Sequence, residues 1–166
     1  MAGQSWPVDD LVQKHRSNGI LIDTNLLLLL TLGKLNRNYI GRGRLTAYIY
    51  EDYRRLNAFG GHFRTRWTTP NILTEVYNLG RQDAKGRWHE FKDILEDLEL
   101  QSLEKYIPSR SIFAKTDGNW IGLTDNGILN LGVPFLLVTS DSVLWCQALR
   151  AGIDAINWNH LRQEWL

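Results

Sequence analysis

The chain has 166 residues, 43% hydrophobic and 22% charged, with a formal net charge of +1 at pH 7. At this length folding buries about 70% of the surface of the extended chain, so one domain over residues 1–166 is expected, and its composition excludes the disordered and fibrous classes. The single cysteine, Cys146, excludes an internal disulfide framework and a multi-cysteine zinc site. The longest apolar run, Leu26 to Leu30, falls far short of the ~20 residues of a bilayer span. MAGQSWPVDD has no basic stretch followed by an apolar one, so no secretory signal is read and the cytoplasm is the expected location.

Strand-like and helix-like segments alternate along the chain, the pattern of an α/β domain with a parallel sheet. Ser5-Trp6-Pro7 opens a first helix and Asn18-Gly19 closes it. GILID (19–23) is a short apolar strand ending on an acid. Helix resumes through LLLLLTL, capped by Thr24 or Asn25 and stopped at Gly33. Residues 34–49 read as irregular, and a helix spans about 50–59. Arg66-Trp67-Thr68 reads as a strand, and Thr69-Pro70 opens a helix expected to end at Gly80. Residues 84–105 show one long amphipathic period, with Phe91, Ile94, Leu95, Leu98 and Leu103 on one side. Thr124 caps a helix that Gly132 stops. FLLV (135–138) is a strand, Ser140 caps a helix through Arg150, and 153–158 is a last strand before a short tail. Cys146 reads as a small buried residue.

Four carboxylates stand out by position. Asp23 ends one strand and Asp141 follows another, so both belong to the sheet edge where open parallel sheets bind ligands. Asp125 falls in the first turn of a helix, where an acid also gains from the helix dipole. Glu75 has Ile72, Val76 and Leu79 around it, which places it on or beside a buried stripe. A buried carboxylate needs a cation. A nearby arginine or a metal shared with Asp23, Asp125 and Asp141 would serve, and hard divalent cations favour such oxygen ligands.

Four segments resemble, in order, the motifs of the PIN-domain ribonucleases, particularly the VapC-type toxins of prokaryotic toxin–antitoxin pairs: LIDTN (21–25), TTPNILTEVYNL (68–79), GLTDNGIL (122–129) and VTSDSVL (138–144). The resemblance implies a three-layer α/β/α fold with a central parallel sheet of about four to five strands. It implies a metal-dependent endoribonuclease in which Asp23, Glu75, Asp125 and Asp141 are catalytic and bind one or two Mg2+ or Mn2+ ions. Asn25 and Thr139 would then orient those ligands, and cleavage would leave a 3′-hydroxyl and a 5′-phosphate. It also implies an RNA substrate, a cognate antitoxin and a homodimer, with no membrane partner. Two other readings remain open within the resemblance: an RNA-processing or DNA-repair nuclease without an antitoxin, and a non-catalytic module that binds RNA or protein.

The charge pattern fits a polyanionic partner. Residues 34–66 carry eight basic side chains against Glu51 and Asp52, whereas residues 83–104 carry seven acids against three bases. Arg37, Arg42, Arg44, Arg64 and Arg66 are the candidate RNA contacts. Interleaved Tyr39, Tyr48, Tyr50, Tyr53 and Trp67 are possible base-stacking partners.

Overall fold

A computed structural model describes residues 7–115 and 120–164. Its elements are α1 Pro7–His15, β1 Ile20–Ile22, α2 Thr24–Leu35, α3 Tyr50–Gly60, β2 Arg66–Thr68, α4 Pro70–Ala84, α5 Trp88–Leu100, β3 Leu103–Glu104, α6 Ser109–Ala114, α7 Leu123–Leu129, β4 Leu136–Thr139, α8 Ser142–Arg150, β5 Ala155–Asn157 and α9 Trp158–Glu164. Short 3-10 turns at Arg37–Tyr39, Gly43–Leu45 and Lys85–Arg87 join them.

The five strands form one parallel sheet in the order β3-β2-β1-β4-β5, with helices flanking it in three α/β/α layers. From β1 the chain first moves outward to β2 and β3, then crosses to β4 and β5 on the other side. Right-handed crossovers running in these opposite directions put the intervening helices on opposite faces. α2, α4 and α5 pack on one another, whereas α8 packs on β4 and β5. The order reverses between β1 and β4, and a crevice outside the strand ends at such a reversal is where open α/β sheets bind ligands. Asp23 and Asp141 follow those two strands.

Because β1 and β4 are covered on both faces, they need no polar alternation: Ile20, Leu21, Leu136, Leu137 and Val138 are all buried. α2 is leucine-rich nearly all round because the sheet and the α3, α4 and α5 layer enclose it. Thr31 in its interior satisfies its hydroxyl by donating to the Leu27 carbonyl at 2.8 Å.

Several expected boundaries move. The helix of Pro70 runs through Gly80 to Ala84, because Gly80 serves as a packing notch: a Cβ there would lie 1.9 Å from Cζ of buried Phe91. The long period over 84–105 divides into a 3-10 turn, α5 and the edge strand β3. α5 ends where the Ser102 hydroxyl donates back to the Leu98 carbonyl and the Ser102 N–H to the Glu99 carbonyl. Leu103 then sits exposed in β3 instead of extending the buried stripe. α6 and α9 occupy stretches read without helix, and Trp158, expected in a strand, is the fully buried first residue of α9. Cys146 is exposed on α8, not buried. Ser5 and Trp6 lie outside the described residues.

Candidate functional site

Asp23 and Asp141 occupy equivalent places after adjacent strands, and both are helix N-caps. Asp23 begins α2, its Oδ1 accepting from the Leu26 N–H at 3.1 Å. Asp141 begins α8, its Oδ1 accepting from the Val143 and Leu144 N–H groups at 2.7 and 3.0 Å. The caps are therefore the acids themselves, where Thr24, Asn25 and Ser140 were expected. A carboxylate gains from the N-terminal end of the helix dipole. Asp23 is buried in this position, whereas Asp141 is half-buried.

Thr139, the last residue of β4, links the two. Its hydroxyl donates to Asp23 Oδ2 and accepts from the Asp141 N–H at 2.9 Å. The Ser140 N–H adds a donor to Asp23 Oδ2 at 3.3 Å. Asp23 is only 4% exposed. Burial pushes its carboxyl up to about 6, against the pull of the Thr139, Leu26 and Ser140 hydrogen bonds, and nearby Asp141 raises it further.

Glu75 enters from α4 and stands exposed at the mouth, not on the buried stripe that its apolar neighbours suggest. Ile72 and Val76 turn inward and carry the packing. Two threonine hydroxyls hold the carboxylate: Thr24 donates to Oε2 at 3.0 Å and Thr124 to Oε1 at 2.5 Å. Thr124 was read as a helix cap, but α7 is preceded by Gly122 at φ 127°, and the buried Thr124 turns its hydroxyl to Glu75 instead.

Asp125 follows Thr124 in the first turn of α7. Burial is the main cause that pushes its carboxyl up to about 7, and the charges of Asp141, Asp23 and Glu75 push it the same way. Its carboxylate takes no hydrogen bond among the described residues. The structure thus brings the four acids predicted from sequence to one end of the sheet, each on a different helix. Three threonines adjoin or link them. Among the described residues, no group of three or more His, Cys, Asp or Glu side chains is disposed to grip one ion together.

The remaining candidates separate. Thr139 contacts Asp23, whereas Asn25 is exposed on the first turn of α2. Arg37 lies over the Tyr50 ring at 5.5 Å, and Tyr50 stacks on Tyr53 at 5.6 Å. Arg44 pairs with Asp83 at 3.0 Å and donates to Gln82 at 2.9 Å, and Arg42 is exposed in the same connection between α2 and α3. Arg66 pairs in register with Ile20, at the opposite end of the strands from Asp23, and Arg64 precedes it. These last two are therefore remote from the acids.

Two further residues border the acids: Tyr48, read from sequence as a base-stacking candidate, and Arg162, which has no counterpart among the expected site residues. Tyr48 is buried, with its phenol hydrogen-bonded to Ser140, and its pKa is raised by that burial and by Asp23 among nearby charges. Arg162 of α9 lies over its ring at 5.5 Å, donates to the Ala47 carbonyl at 2.9 Å and pairs with Asp52 at 3.3 Å. The burial of Tyr48 leaves its ring little face for the base stacking read from sequence, and Arg162 lies in what reads as a tail.

No protein-family model, curated protein or solved structure matches the chain. Among the described residues, no helix is long and apolar enough to cross a membrane.

Proposed function

We propose that the chain is a metal-dependent endoribonuclease of the PIN type, acting as the toxin of a toxin–antitoxin or defence system. The observation that supports this reading most is the meeting of Asp23, Glu75, Asp125 and Asp141 where the strand order reverses. Four carboxylates so placed repel one another, which adds to burial in raising Asp125, and a hard divalent cation relieves that repulsion.

The donor set suits Mg2+ or Mn2+ in kind. Mg2+ is commonly held by one or two carboxylates together with several waters, so two of these acids with waters would suffice to hold one ion. Asp125, whose carboxylate takes no hydrogen bond among the described residues, is the first choice of direct ligand. Asp23 is fixed by three donors and offers its remaining lone pairs, and Asp141 has Oδ2 left after capping α8. Glu75, held at the mouth by two hydroxyls, is placed to orient an attacking water. A bound cation supplies a water of lowered pKa and charge neutralisation at the leaving oxygen. Thr139, Thr24 and Thr124 hold the carboxylates in place. Arg37, Arg42 and Arg44, on the chain between α2 and α3, remain in the proposal as RNA contacts, and Arg64 and Arg66 leave it. The toxin role, the antitoxin and the homodimer rest on the sequence resemblance.

Incubating the purified chain with end-labelled single-stranded RNA tests the activity. Cleavage with Mg2+ or Mn2+ that stops in EDTA is expected, and RNA left intact in either metal overturns the reading. Induced expression separates the toxin from a processing nuclease: growth arrest relieved by Asp23→Asn is expected, and unimpaired growth with an active enzyme argues for the nuclease without an antitoxin.

A further inference from the structure

A cavity of about 450 Å³ opens where the C-terminal ends of α2 and α4 meet the connection between α2 and α3. None of the four acids lines it. Three cationic side chains do: Arg42 from the connection, and Lys85 and Arg87 from the turn after α4. Among the described residues neither Arg42 nor Lys85 has an ion-pair or hydrogen-bond partner for its side chain, and both are exposed. Arg87 is steadied by two bonds to Glu90, at 2.9 and 2.5 Å. Asp83, the one acid on the wall among the described residues, is neutralised by Arg44. The cavity therefore presents uncompensated positive charge.

The rest of the wall is not simply ionic. Tyr39 is half-buried, its hydroxyl donating to the Ala84 carbonyl at 3.3 Å, so its ring is held against the end of α4. Asn36 and Asn38 add amides, and Asn36 spends its Oδ1 on the Asn38 N–H at 2.9 Å, which leaves its NH2 available. An aromatic ring, free amides and cations around a space of this size suit a planar base with a phosphate.

Lys85 supplies an independent indication. It is the one non-glycine residue among those described with positive φ, at 48°. Glycine adopts that conformation without cost, and a lysine does not. Gly86 is the very next residue, so a glycine is at hand in the turn, yet the strained position carries an ammonium at the cavity.

We propose that this cavity is a nucleotide-binding site, with the phosphate held by Arg42, Lys85 and Arg87 and the base set against Tyr39 and the two asparagines. The bound nucleotide comes either from the RNA strand being cleaved or from a free mononucleotide. Thr24 meets Glu75 across α2 and α4, and Leu32 and Asp83, both on the cavity wall, lie eight residues further along the same two helices. Eight residues of helix measure about 12 Å, which is close to four stacked nucleotides at 3.4 Å each. Only the strand-borne form rests on the ribonuclease reading.

The test uses the full chain in metal-free buffer, with AMP as the probe followed by titration calorimetry. AMP binding that weakens with salt and falls about tenfold or more in Arg42→Gln/Lys85→Gln is expected, while Asp23→Asn leaves it unchanged. Lys85→Gly guards against a folding artefact, since it removes the charge and the backbone strain together: thermal stability should hold or rise while AMP binding weakens. No binding of AMP at millimolar concentration, or equal binding by parent and double variant, overturns the site whether or not the chain cleaves RNA. Steady-state kinetics distinguish the two sources. A KM for a dodecanucleotide raised by Lys85→Gln at constant kcat, with a dinucleotide unaffected, assigns the site to the strand, and an unchanged KM with weakened AMP binding assigns it to a free nucleotide.

Discussion

The Thr124 hydroxyl donates to Glu75 at 2.5 Å, joining α7 to α4 across the mouth of the acidic site. The contact fixes the one predicted acid that is exposed, and it does so from the residue immediately before Asp125. Glu75 on α4 is thus tied to the turn of α7 that carries Asp125.

Thr124→Val keeps the shape of the side chain and removes the donor. Since Glu75 is exposed and retains its bond from Thr24, folding stability should fall by no more than about 1.5 kcal/mol. Metal-dependent cleavage should fall about 10- to 100-fold, the usual effect of losing a contact that orients a ligand. Urea denaturation alongside initial cleavage rates checks both, and an unchanged rate shows that Glu75 needs no such anchor.

Asp125 and Asp23 set the pH dependence of the metal-free chain. Their folded pKa values, about 7 and about 6, lie above the ordinary 3.8. A carboxyl raised on folding contributes stability that is complete below its unfolded pKa and lost as pH rises through the folded value. Stability of the metal-free chain should therefore decline between about pH 4 and pH 7. Asp125→Asn should flatten the decline and stabilise the metal-free chain at pH 8 by on the order of 1–2 kcal/mol once solvent screening is allowed for. Mg2+ at pH 8 should raise the Tm of the parent more than that of the variant. Thermal melts across pH, with EDTA or Mg2+, measure this, and a variant as pH-sensitive as the parent contradicts it.

Gly80→Ala tests the packing beneath the site. Alanine is the better helix former by about 1 kcal/mol, but its Cβ would lie 1.9 Å from Phe91, which is fully buried between α4 and its neighbours. A net loss of about 1–3 kcal/mol is expected, read as a lowered denaturation midpoint. A stabilised variant would show that Phe91 yields freely.

How far the sequence reveals the molecule depends on whether a signal is local. The acid after GILI and the acid after FLLV are legible because a short apolar strand followed by a capping carboxylate is a nearest-neighbour pattern, and a parallel sheet then places both at one end. Asp23 and Asp141 are found this way, whereas Asp125 and Glu75 are singled out by their places on helices, and Glu75 stands exposed instead of on the stripe that draws attention to it; five parallel strands agree with the expected four to five. Gly80 misleads because a helix stop and a packing notch look alike until Phe91 is seen against it. β3 escapes notice because two residues of strand cannot break a helical period, and what ends α5 is a side-chain bond from Ser102. Thr24 and Thr124 look like caps because their true partner, Glu75, is about fifty residues away in the chain. Arg64 and Arg66 share a basic segment with Arg37, Arg42 and Arg44, yet strand direction sends them to the far end of the sheet. Charge counted along a segment carries no information about which end of a strand it occupies.

The most direct measurement is the Mg2+-dependent cleavage of single-stranded RNA by the parent chain and by Asp23→Asn/Asp125→Asn, both shown to be folded by circular dichroism. Cleavage by the parent and its loss in the variant is the expected result. Undiminished cleavage by the variant contradicts the assignment of the acidic site.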